Sequence, residues 1–347
     1  MRRPTFLQQC GIFLTLGLTA CLAAAASAQA AKPIRVGVIG LDTSHVVAFT
    51  KVLNDPDAPE DVANCRVVAA FPEGSPDIAS SVSRVPGYTE QLKALGVEIV
   101  DSIPALLEKV DAVLLETNDG RPHLEQVLPV LAAGKPTFID KPMAASLTDV
   151  AAIFMASERS GTPVFSSSSL RYSSGAQECR NGAIGKIVGA DTFSPCSLEK
   201  THPDLYWYGI HGVETLFTVM GPGCVSVSRV SSPGFEMAVG KWNDGRIGSF
   251  RGIREGKAGY GGTAFGTTEH RTIGKYEGYR PLVVEIVKFF RTGESPVADE
   301  ETLELYAFMS AADESKREHG APVSVQKLIT AAKEEATEKL LDWHPKK

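Results

Sequence analysis

Through its first half the chain alternates short apolar runs with amphipathic stretches. Ile34–Ile39, Arg66–Phe71, Val97–Val100, Ala112–Leu115, Thr137–Ile139 and Val164–Phe165 read as strands. Ala112–Leu115 is apolar at every position, as expected of a strand covered on both faces. Ser44–Leu53, Glu90–Leu95, Pro104–Lys109 and His123–Ala133 carry helical spacing, the last stopping at Gly134. Asp55–Asp61 is a Pro/Asp-rich loop. Apolar strands alternating with helices predict an α/β fold: a doubly wound parallel sheet with right-handed crossovers, over residues 31–168.

After about residue 168 the pattern changes. Lys186–Thr192, Val225–Val230, Glu236–Trp242 and Arg246–Arg251 read as strands with little helix between them and glycine turns separating several. This predicts a second, α+β domain over 169–347, built on an open, mainly antiparallel sheet. Tyr208–Met220, Pro281–Arg291, Glu301–Glu318 and Val325–Trp343 are its expected helices. A chain of 347 residues is long enough for two cores.

The first 30 residues fit neither domain. Arg2 and Arg3 precede an apolar run, Gly11–Ala26, and Ala28-Gln29-Ala30 is a small-residue cleavage pattern. Residues 1–30 therefore read as a signal peptide, and the protein is expected to be exported, periplasmic or extracellular. Leu18-Thr19-Ala20-Cys21 also resembles a lipobox, which would anchor the chain by a lipid on Cys21. The arginine pair is similar to a twin-arginine signal. No later apolar run is long enough to span a bilayer. A net charge of -6 with no basic stripe excludes nucleic acid as the expected partner. Cys65, Cys179, Cys196 and Cys224 follow no metal-binding spacing and are expected to be buried thiols.

The chemistry-bearing residues fall at strand ends. Asp140-Lys141-Pro142 follows the apolar Thr137–Ile139, so Lys141 is placed where parallel sheets bind ligands. Gly40-Leu41-Asp42-Thr43-Ser44-His45 forms the first turn. A dinucleotide turn would carry three glycines there, and only Gly40 is present. Asp42 replaces the second glycine, where a carboxylate would repel a pyrophosphate, and His45 replaces the third. Thr43 or Ser44 could cap the helix or bond an anion. Asp42 as a plain helix cap is the alternative. Glu116-Thr117-Asn118 ends the fourth strand, with Glu116 either in the crevice or paired with a base such as Arg121. The second strand ends Phe71-Pro72-Glu73, with no acid at the usual ribose position of a dinucleotide fold, although Glu73 or Asp77 could substitute. In Tyr206-Trp207-Tyr208-Gly209-Ile210-His211-Gly212-Val213-Glu214, aromatic rings beside an imidazole suit a sugar. His211 and Glu214 are three apart, so Glu214 is expected to orient the imidazole. A core histidine at a buried helix start is the competing view.

Arg35–Gly40, Asp111–Thr117 with His123 beyond it, Gly134-Lys135 before Asp140-Lys141-Pro142, Arg171-Tyr172, Asn181–Lys186 and the His211 segment together resemble the Gfo/Idh/MocA family of sugar oxidoreductases. The likeness covers most of the chain after the leader. It implies a Rossmann domain carrying NAD or NADP and a second domain that covers the substrate and often forms a homo-oligomer. On this resemblance the cofactor seat is Gly40, Asp42, Thr43, Ser44, His45, Thr117, Asn118, Asp140 and Lys141. Lys141 and His211 are the catalytic pair, and Glu116, Arg171, Tyr172, Tyr208 and Glu214 face a carbohydrate or polyol. The family's acid two residues before the glycine is Trp207 here. An exported dehydrogenase would have to keep its cofactor bound. The alternative function is an exported, NAD-independent hydrolase, lyase or isomerase, or a carbohydrate-binding protein. Under it alone a divalent metal could sit among Asp42, His45, Glu116 and Asp140.

Overall fold

The structure, a computed structural model, describes residues 32–345. The leader-like segment, with Cys21, lies outside the described residues. The first six strands are β1 (Ile34–Ile39), β2 (Cys65–Phe71), β3 (Glu98–Ile99), β4 (Ala112–Leu115), β5 (Thr137–Ile139) and β6 (Val164–Ser166). They form one sheet in the order β3-β2-β1-β4-β5-β6, and every pair is parallel. The order reverses between β1 and β4, so a crevice opens at their carboxyl ends.

Alternation along the strands feeds two cores. Ala112, Leu114 and Phe138 face α1 (Ser44–Leu53) and α8 (Arg280–Thr292), where Phe49, Ile286 and Phe289 are fully buried. Val113, Leu115 and Ile139 face α3 (Ile103–Leu107), α4 (His123–Ala132) and α5 (Leu147–Ser160). Covering both faces explains why these strands are apolar throughout.

Two helices differ from the sequence expectation. α2 spans Ala79–Ala94 and starts eleven residues before the expected Glu90. Only Ser81 and Leu92 of it are buried, and Pro86 lies inside, so its apolar periodicity is faint. α5 was assigned to no element. Ser146 caps it, its Oγ accepting from Asp149 N at 3.0 Å, and Gly161 ends it in the left-handed region.

The second sheet contains β7 (Ile187–Pro195), β8 (Cys224–Ser232), β9 (Phe235–Trp242), β10 (Ile247–Ile253), β11 (Gly261–Gly266), β12 (His270–Ile273) and β13 (Val323–Ser324), in the order β12-β11-β7-β10-β9-β8-β13. β10 runs parallel to β7, and the other neighbours are antiparallel. The glycine-rich β11 and β12 carry too little apolar alternation to be assigned from sequence. After the short α6 (Ser174–Arg180) and β7 comes α7 (Ile210–Met220), buried at every residue. It lies close on the sheet because Gly212 has no side chain: a Cβ there would stand 2.4 Å from the Phe250 ring. α9 (Asp299–Arg317) and α10 (Val325–Lys339) complete the fold. The four cysteines expected to be buried thiols are buried and free. Among the described residues no helix is long and apolar enough to cross a membrane.

Candidate active site

Three strand ends converge at the crevice. Gly40 follows β1 with φ at 86°, and a Cβ on it would lie 2.5 Å from Thr117 N. A glycine therefore lets the ends of β1 and β4 meet. Glu116 N donates to Ile39 O at 2.7 Å, and Asp140 N donates to Leu115 O at 2.8 Å. His123 ties the next loops together, its ring nitrogens 2.7 Å from Thr117 O and 3.1 Å from Met143 O.

Above this floor lies a cavity of about 400 Å³. Thr43, Ser44, His45, Asn118 and Lys141 line it from the first sheet's side, and Trp207, Tyr208 and His211 from the second's. Nothing in the sequence marked Arg84, Tyr260, Tyr276 and Tyr279, which also line it, as do Ser80, Ser169, Leu170 and Ser197. Arg84 sits on α2, the helix whose pattern was faint. Tyr276 and Tyr279 precede α8 and reach back to the site, the Tyr279 ring centroid lying 4.5 Å from that of His45. No local motif marks such a return.

His211 is held by a residue not foreseen. Its Nδ1 lies 2.7 Å from Ser168 Oγ. The rings of Tyr208 and Tyr260 stand edge-on to the imidazole, centroids 5.5 and 5.7 Å away. Burial, followed by the positive charges of Lys141 and His45, holds His211 well below the ordinary histidine range. The ring is therefore neutral near pH 7 and able to accept a proton.

Glu214 does not orient that ring, contrary to the expectation from their spacing. Its Oε1 instead takes the Arg171 guanidinium and, at 3.1 Å, Ser167 Oγ. Arg171 also donates to Glu301 at 2.6 Å, and Glu301 receives Arg180 at 2.8 Å. Helical spacing put Glu214 and His211 on neighbouring positions, but a buried arginine claimed the carboxylate. Arg171 and the half-buried Tyr172 border a different recess, beside Arg180 and Arg280. The structure thus does not bring Arg171, Tyr172 or Glu214 to the cavity.

Asp42 is withdrawn from the cavity. Its Oδ2 accepts from Ser81 Oγ at 2.7 Å, and its Oδ1 from Asn118 N at 2.8 Å. It is fully buried, and burial raises its carboxyl despite these bonds. The helix cap is Thr43, whose Oγ1 accepts from His45 N, so the plain-cap alternative for Asp42 is corrected. Asp77 is taken by Arg121, at 2.7 and 2.9 Å, and Glu73 accepts from Gln126 at 2.9 Å. Arg121 also binds Asp119, so it is not the partner of Glu116.

Glu116 has no hydrogen-bond partner on either oxygen and is completely buried. Burial, reinforced by Asp140, pushes its carboxyl well above the ordinary range, and Lys141 opposes this without prevailing. Burial also pushes Asp140 upward. There the charges of His45 and Lys141 prevail and hold it low, with His45 Nδ1 2.8 Å from Asp140 Oδ2.

The sequence and the fold are similar to those of known proteins. Residues 34–167 match the family model described as "Oxidoreductase family, NAD-binding Rossmann fold". Over those residues, the part that carries the first sheet, the chain is similar to the Gfo/Idh/MocA family. Inositol 2-dehydrogenase 3 of Saccharopolyspora erythraea is 26% identical over 209 residues, which is 57% of this chain and 56% of that protein. The chain therefore spans little more than half of that relative. The scyllo-inositol dehydrogenase of Lactobacillus casei, solved with NAD(H) and scyllo-inositol, superposes with a TM-score of 0.66 at 15% identity, covering 85% of this chain and 100% of that one. The myo-inositol 2-dehydrogenase of Lactobacillus plantarum gives 0.68 at 17%, covering 84% and 99%. At such identity these two likenesses establish the fold.

The residues present fit the phosphate of a dinucleotide. The first turn of α1, Arg84 and Lys141 meet at the cavity, and the Asp42 carboxylate does not face it. One obstruction remains. Asp42 bridges α2 to the end of β4. Ser80 and Asn118 line the main cavity, whereas Gly74, Ser75, Thr117 and Asp119 line a second recess of about 350 Å³. A dinucleotide occupying both recesses must cross that bridge.

Proposed function

We propose that this protein oxidises a secondary hydroxyl of a sugar or cyclic polyol with NAD or NADP. The observation that carries the reading is the shared cavity: Lys141, a neutral His211 and the α1 N-terminus line one space. Thr43, Ser44, Arg84, Asn118 and Lys141 would hold the cofactor. The nicotinamide would supply the hydride acceptor.

His211 takes the hydroxyl proton. With Nδ1–H donated to Ser168 Oγ, Nε2 carries the free lone pair. Lys141 steadies negative charge growing on the same oxygen. Tyr208, Tyr260 and Trp207 line the same space and would supply rings on which a sugar or polyol packs. The inositol dehydrogenases among the relatives support this substrate class. The leader-like residues 1–30 support export, and a cofactor carried along with the folded protein and recycled in place.

The test is a panel of inositols and pyranoses supplied with NAD+ or NADP+, with formation of the reduced nicotinamide as the readout. Turnover lost in His211→Ala supports the reading, and a silent panel counts against it. The Asp42 bridge favours one further reading, a site that acts on a carbohydrate without a dinucleotide. Product formation in nucleotide-free protein would establish that instead.

A further inference from the structure

The floor beneath the cavity holds charges that the proposed redox reaction does not use. Asp42, Glu116 and Asp140 are each fully buried, and Lys141 is the cation beside the last two. Asp42 has two donors of its own. Asp140 Oδ2 meets His45, but Asp140 Oδ1 and both Glu116 oxygens have no partner. Asp140 has His45 and Lys141 as positive neighbours, but three buried carboxyl oxygens still lack a hydrogen-bond partner, and a buried carboxylate without donors is costly.

His45, Glu116 and Asp140 each offer one atom, and these atoms lie within 4.8 Å of one another. They come from three strand ends: α1 after β1, then β4, then β5. We propose that His45, Glu116 and Asp140 bind a divalent first-row cation such as Mn²⁺ or Zn²⁺. One imidazole with two carboxylates and no thiolate suits such an ion. Three protein ligands leave coordination positions for an oxygen ligand. His45 also lines the cavity, so the ion has a route from solvent. The site goes beyond the oxidoreductase reading and does not rest on it.

The test strips the full protein with a chelator and titrates it with Mn²⁺ and Zn²⁺ by calorimetry, following the melting temperature in parallel. We expect about one saturable ion per chain and a higher melting temperature. Glu116→Gln and Asp140→Asn should each weaken binding by more than the roughly 10–100-fold that loss of an outer-shell partner costs. Glu116→Gln also separates the site from a plain buried acid. Under the proposal added metal raises the melting temperature of wild type and not that of Glu116→Gln, whereas a plain buried acid gives no metal-dependent difference between them. Folded wild type that binds no ion, or binding unchanged in Glu116→Gln, overturns the proposal. Dinucleotide binding is measured separately, so either result stands alone.

Discussion

Ser168 Oγ lies 2.7 Å from His211 Nδ1, joining the loop after β6 to the buried helix α7. The contact fixes the ring, and with Nδ1–H donating to Ser168 Oγ the Nε2 lone pair is free. His211→Ala should lower kcat by about 10²–10⁴-fold, the usual contribution of a positioned base. Ser168→Ala should lower kcat by less while leaving KM nearly unchanged. Steady-state kinetics on the active substrate checks both.

The same residue sets a pH dependence. His211 is held below its reference value of 6.5 in the folded state, first by burial and then by Lys141 and His45. The acid limb of kcat/KM should therefore fall below pH 6.5 and disappear in His211→Ala. For stability, the unfolded chain binds the extra proton. The contribution is complete above 6.5 and is lost as pH falls through the folded value. Chemical denaturation of wild type and His211→Gln at several pH values reads this difference.

Lys141 lies at the cavity wall beside Asp140 and Glu116. Lys141→Met should reduce kcat, because it removes the ammonium placed to steady charge at the reacting oxygen. It should also remove one positive neighbour from the two buried acids, leaving His45 beside Asp140. A lower melting temperature with reduced turnover is expected, and full turnover would remove Lys141 from the mechanism.

Glu214 belongs to a buried ion-pair network with Arg171, Glu301 and Arg180. Removing one partner of a buried pair leaves an uncompensated charge and costs about 3–5 kcal/mol. Glu214→Ala should lose stability on that scale in urea unfolding. A pure KM effect at unchanged stability would instead return Glu214 to the substrate.

The Asp42 bridge predicts a gain. Asp42→Gly removes the side chain joined to Ser81 and Asn118, and Ser81→Ala removes one of the two bonds. Both should tighten dinucleotide binding, Asp42→Gly by roughly tenfold, or about 1.4 kcal/mol. Equilibrium binding of NAD+ and NADP+ to the two variants tests this.

The centre of the first sheet was legible because β4 and β5 are buried on both faces, so Ala112–Leu115 and Thr137–Ile139 stand out as unbroken apolar runs at their observed bounds. α2 was blurred because its serines, Pro86 and sparse buried positions give no stripe. At the site, Lys141 and His211 were legible from strand ends and motif. Ser168, Arg84 and Tyr279 were not, because each reaches the cavity through tertiary packing that no spacing encodes. Glu214 shows the reverse. Its spacing from His211 was right, and its partner was decided by Arg171, which lies 43 residues away.

The measurement that bears most directly on this account is calorimetric titration of the purified protein with NAD+ and NADP+, after any resident nucleotide is removed. The account predicts saturable binding of one nucleotide per chain, tighter in Asp42→Gly. Folded protein that binds neither nucleotide, as wild type or as Asp42→Gly, would contradict it.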